Sequence, residues 1–122
     1  MATYKTSIAG SISSARWTDD AASATEVEVS TSSINIHQVR IDNTANSTIL
    51  YLKLYNLAAS SLTVGSNSPE SILPVDAGSK VEYDFDPGMA FGTALCYAVV
   101  TTPGTAGTTA PATAITLEIL TS

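Results

Sequence analysis

Charge, cysteine and histidine are all scarce in this chain, and each shortage closes off a class of chemistry. Only 13% of the 122 residues are charged, five Lys or Arg against eleven Asp or Glu. The basic residues, Lys5, Arg16, Arg40, Lys53 and Lys80, are spread along the chain. Neutralising a phosphate backbone or an anionic membrane surface takes clustered cations. A net charge of −6 with no basic cluster therefore points away from nucleic acid and membrane as partners. The single cysteine, Cys96, excludes an intrachain disulfide, and together with the one histidine, His37, it supplies too few ligands for a zinc site. Any Ser–His or Cys–His catalytic pair would have to use His37, oriented by Asp42 or Glu28, yet no nucleophile motif such as G-x-S-x-G is present. GTAGTT lacks the lysine and following helix of a phosphate loop. Asp84 with Asp86, and Asp19 with Asp20, lack the spacing of a calcium loop and read as solvated acids. The expectation is a protein that is not an enzyme and has no catalytic residues, cofactor or metal.

Long apolar runs are missing as well. No segment approaches the roughly 20 residues a membrane helix needs, and the N-terminus has neither the basic start nor the apolar core of a signal peptide. These features predict synthesis and folding in a reducing cytoplasm. Helical spacing is also absent; β-branched residues and turn formers recur every 8–12 residues, the rhythm of a sandwich or barrel.

What is present reads as a series of strands. Residues 4–8 are an edge strand or extended arm, and Thr18-Asp19-Asp20 marks a polar loop. In residues 26–30, Val27 and Val29 point inward. Ile34 and Ile36 share a parity that Val39 and Ile41 reverse, so a bulge near His37-Gln38 is predicted to restore the phase. Asn43-Thr44-Ala45-Asn46 breaks the chain, because Asn side chains satisfy nearby backbone and tolerate turn dihedrals. Residues 49–57 are apolar on both faces, as in a strand covered on both sides, although Tyr51 and Tyr55 could instead form a contact surface. Pro74 confines residues 72–75 to an edge. Residues 80–86 alternate, and Pro87-Gly88 signals a turn. Residues 89–101 read as one long buried strand holding Cys96, and residues 114–120 as the last, with Ile115, Leu117 and Ile119 inward. The predicted fold is all-β: a jelly-roll-like antiparallel sandwich of about eight strands, with residues 1–15 as an extended arm and residues 16–122 as a single domain.

Two loops echo each other. Thr63-Val64-Gly65 precedes Pro69 at the same spacing as Thr105-Ala106-Gly107 precedes Pro111. The preferred reading is similar turn chemistry in two loops at one end of the sandwich, with Asn67, Pro69, Thr105 and Thr108 as candidate loop-tip contacts. Most aromatics sit among core aliphatics, but Trp17 stands in a polar segment beside Arg16. Arg16 and Trp17, with Tyr4 and Ile8 of the arm, are candidate partner contacts; for Trp17, packing within its own domain is the open alternative.

Residues 39–111 carry NTA, YLKLYN, a T-x-G-x-x-x-P loop, PGMAFGTALCYAV and GTAGTTAP in that order. Over this stretch, a little over half of the chain, the sequence resembles small accessory virion proteins of tailed bacteriophages. The resemblance implies a structural virion protein of the capsid cement or decoration type. Its partner would be the major capsid protein or another virion protein, and it would act as a homo-oligomer, expected to be a trimer. The alternative is a head-fibre, tail or receptor-binding component that recognises a host surface glycan, with exposed aromatics near residues 62–69 and 102–111.

Overall fold

A computed structural model describes residues 3–8 and 14–122, with side chains from Ala15 onward. Among these described residues are nine strands: β1 Thr3–Ile8, β2 Ser14–Ala22, β3 Val27–Ser30, β4 Ile34–Asp42, β5 Leu50–Tyr55, β6 Ser71–Val75, β7 Lys80–Phe91, β8 Leu95–Val100 and β9 Ile115–Thr121. A single 3-10 turn, Ala59–Ser61, is the one helical element among the described residues. The strands form an antiparallel β-sandwich, with a five-stranded sheet ordered β1-β2-β9-β4-β7 and a four-stranded sheet ordered β3-β8-β5-β6. Pairing is nested: β2 with β9, β3 with β8, β4 with β7 and β5 with β6, as when one long hairpin is rolled up.

Alternation explains the layers. Val39 and Ile41 of β4, Leu117 and Ile119 of β9, Leu50, Leu52 and Leu54 of β5, and Tyr97 and Val99 of β8 meet in one core between the sheets. The register of β4 slips between Ile36 and Gln38 against both neighbours. That bulge at His37 puts Ile34, Ile36, Val39 and Ile41 all on the buried side, as the parity change predicts. The Asn43 break, the edge position of β6 and the inward residues of β9 follow their sequence signals too.

Three boundaries differ from the sequence reading. Thr18-Asp19-Asp20 lies inside β2 and is no loop, because Asp19 and Trp17 turn inward and find hydrogen-bond partners there. Pro87-Gly88 does not end a strand. Between the pairs Ile36↔Met89 and Gln38↔Asp84, β7 loops out four residues opposite His37 and then continues. Gly88 fits at φ +140, where an added Cβ would lie 3.0 Å from the His37 ring. Residues 89–101 are two strands divided at residues 92–94, where the Asn56 Oδ1 accepts from the amides of Thr93 (2.9 Å) and Ala94 (3.2 Å).

Candidate functional site

Most of the polar side chains buried among the described residues, Asp19, Asn43, Asn46 and Lys53, are tied to specific partners in three networks, whereas the Thr18 hydroxyl is buried without one. The first joins the sheets. Trp17 Nε1 donates to the Tyr97 hydroxyl (3.1 Å), which donates to Asp19 Oδ2 (2.6 Å), while Asp19 Oδ1 accepts from the Ala21 amide (2.9 Å). Burial, and then the hydrogen bond given to Asp19, push the Tyr97 phenol far above its ordinary range. The second network closes the Asn43 break. Asn43 Nδ2 donates to the carbonyls of Thr48 and Asp76, and Asn46 exchanges two hydrogen bonds with the backbone of Thr113.

The third network lies on the outer face of the smaller sheet. Lys53 is fully buried there, and its ammonium donates to the carbonyls of Gly104 (2.6 Å) and Gly107 (2.9 Å). Desolvation lowers the Lys53 pKa from 10.5. Gly107 is the glycine this loop requires, since a Cβ there would sit 2.0 Å from Thr102 Oγ1, whereas one on Gly104 would meet open space. Gly65, at φ +96, faces the Thr108 methyl, so the two echoing loops touch.

These loops do not share one end of the sandwich. Tyr55 pairs with Cys96 and Tyr51 with Val100, so residues 56–70 leave β5 at the end opposite to that where residues 101–114 leave β8. They converge across the sheet face. Under the first loop, Tyr55, Leu62, Cys96 and Ala98 form a second small core, so β5 is covered on both sides. Burial, with Glu28 and Glu26 nearby, pushes the Cys96 thiol up to about 11. The Tyr55 hydroxyl is buried there without a partner.

The residues named from sequence are scattered over this body. Register sets Tyr4 opposite Thr18 and Ile8 opposite Ser14 at the β1 edge; their side chains lie outside the described residues. Arg16 is exposed on β2, whereas Trp17 is half-buried against its own core. Asn67 accepts from the Thr63 amide (2.7 Å) and so closes its own loop. Pro69 and Thr105 are half-buried, and Thr108 is exposed beside Gly65. Sequence reasoning missed Lys53 and Asp19. Lys53 had a signal, since a lysine in a strand apolar on both faces must find acceptors.

His37 Nε2 contacts Ser122 Oγ at 2.6 Å within the bulge. The outer face of the larger sheet holds a shallow cavity of about 370 Å³ lined by Arg40, Asp42, Lys80, Glu82, Thr116 and Glu118. Its charges are already paired: Arg40 with Glu82 at 2.8 Å and Glu118 at 3.9 Å, Lys80 with Asp42 at 3.7 Å. Among the described residues, no group of three or more His, Cys, Asp or Glu gathers as a metal site, and no helix is long and apolar enough to cross a membrane. No family model, no curated protein and no solved structure matches the chain.

Proposed function

We propose that this chain is a non-enzymatic structural protein of a tailed-phage virion, a cement or decoration protein that binds the outside of the shell and bridges capsid subunits. The observation that carries the reading is where its reactive groups are used. Asp19, Tyr97, Trp17 and Lys53 all serve internal hydrogen bonds that pin strands and loops together. The result is a tied-down body that works through its faces. Nested strand pairing supports the jelly-roll wiring expected from the sequence, and the resemblance over residues 39–111 supplies the virion setting.

The mechanism is binding energy. A protein that buries interface against neighbouring capsid subunits stabilises the assembled shell by mass action. A net charge of −6 suits an outer surface better than a DNA-facing one. Threefold positions of a shell favour a trimer, with the major capsid protein as partner and the virion as the final location after synthesis in the host cytoplasm. The glycan-binding alternative receives less support. Residues 62–69 and 102–111 contain no aromatic, the Tyr55 beneath the first loop is buried, and Tyr51, opposite Val100 beside the second, is half-buried.

The test is to add purified protein to shells of the encoding phage prepared without it. Saturable binding and a raised shell melting temperature are expected. Shells that neither bind it nor gain stability would overturn the reading and move the protein to a tail or head-fibre role.

A further inference from the structure

The exposed large hydrophobics among the described residues are Ile49 (37% exposed) and Ile72 (36%). They fall on one face. Ile49 directly precedes β5 and shares the parity of Tyr51 and Lys53, which point outward from the smaller sheet. Tyr51 pairs with Pro74, and Lys53 with Ile72. Directly opposed side chains in an antiparallel pair stand about 5 Å apart. Ile49, Tyr51, Pro74 and Ile72 therefore form one continuous apolar strip, beside the loops that cover the rest of that face.

Two further observations define what fits the strip. The first is the edge. β6 ends the smaller sheet, yet Pro74 has no N–H to offer and its carbonyl accepts the Tyr83 hydroxyl from the other sheet. A partner strand is therefore denied both groups at this point, which disfavours pairing along the edge and favours contact face-on through side chains. The second is charge. Exposed Glu70 and Asp76 flank the two ends of β6, while the basic residue of this face, Lys53, is buried and committed to the carbonyls of Gly104 and Gly107. Arg40 and Lys80 are engaged with carboxylates on the opposite sheet. Two copies joined strip to strip would set acid against acid, whereas a basic rim on the partner would complement it.

We infer that this strip is a docking face, and that its partner is an apolar protein surface rimmed by Lys or Arg. The inference rests on the virion reading, in which that surface belongs to the shell.

The experiment compares wild type, I49S/I72S and E70Q/D76N for binding to shells lacking the protein, at low and high NaCl, with sedimentation of each free protein alongside. I49S/I72S should weaken binding roughly tenfold or more while its melting temperature stays close to wild type. E70Q/D76N should weaken binding at low salt, and the difference should shrink at high salt. Saturable wild-type binding that I49S/I72S leaves unchanged would overturn the docking face and leave the virion reading standing. Absence of wild-type binding would overturn both. A wild-type oligomer that I49S/I72S converts to monomer, with shell binding intact, would assign the strip to a second copy and overturn the basic partner.

Discussion

Two tyrosines on neighbouring strands make opposite predictions for the same atom change. Tyr97→Phe deletes the hydroxyl that joins Trp17 Nε1 to Asp19 Oδ2, leaving a buried carboxylate oxygen and an indole N–H unpaired. A hydrogen bond to a charged group contributes about 1.5–3 kcal/mol and a neutral one about 1 kcal/mol, so the expected loss is about 3 kcal/mol. Unfolding entropy of about 2.1 cal/mol/K per residue over 122 residues makes each kcal/mol equivalent to about 4 °C, giving a fall in Tm of about 12 °C. Tyr55→Phe deletes a buried hydroxyl with no partner. Its removal relieves an unsatisfied group and should leave Tm unchanged or raise it by up to about 4 °C. Thermal unfolding followed by circular dichroism measures both, with urea titrations to check that m is unchanged. A fall of less than about 4 °C for Tyr97→Phe would show that the Trp17–Tyr97–Asp19 network does not hold the sheets together as argued.

Other outcomes follow from the loops and the buried titratable groups. Gly107→Ala forces a methyl to within 2.0 Å of Thr102 Oγ1 and should cost about 1–3 kcal/mol, whereas Gly92→Ala, with open space around it, should cost much less in the same urea titration. The Lys53 pKa is lowered from 10.5 by burial, so between the folded value and 10.5 the unfolded chain binds more protons and this residue's contribution to stability rises with pH. Comparing wild type with Lys53→Met isolates that slope, because the raised tyrosines and Cys96 act with opposite sign in both proteins; an unchanged wild-type-minus-variant difference up to pH 10.5 would refute it. Cys96 is buried and its thiol pushed up to about 11. It should resist a thiol reagent at pH 8 in the folded protein and react on denaturation.

Period-two alternation was legible wherever one face of a strand met the core, as in β9 and in residues 80–86 of β7. Even the His37 bulge could be read, because Ile34 and Ile36 fall out of phase with Val39 and Ile41 and burial demands that the phase be restored. Reading failed at β2, where the inward positions include Trp17 and Asp19 among polar neighbours. Such a strand looks like a loop until Tyr97, 78 residues away in sequence from Asp19, is seen to supply the donor. It failed also at Pro87-Gly88, since a turn signal does not tell whether the chain reverses or loops out and resumes its ladder.

The sequence by itself determined the class of fold and most of the core, because burial of alternating apolar side chains is a local pattern that survives without knowledge of partners. It also determined the scarcity of histidine and cysteine, one of each, which is a matter of composition. Tertiary structure alone decided which loops meet, which polar groups are spent internally and which apolar residues stay outside. Gly65 meets Thr108, Lys53 finds Gly104 and Gly107, and Ile49 lines up with Ile72 only once strand register is set. Register comes from the summed packing of both sheets, and no single segment contains that information.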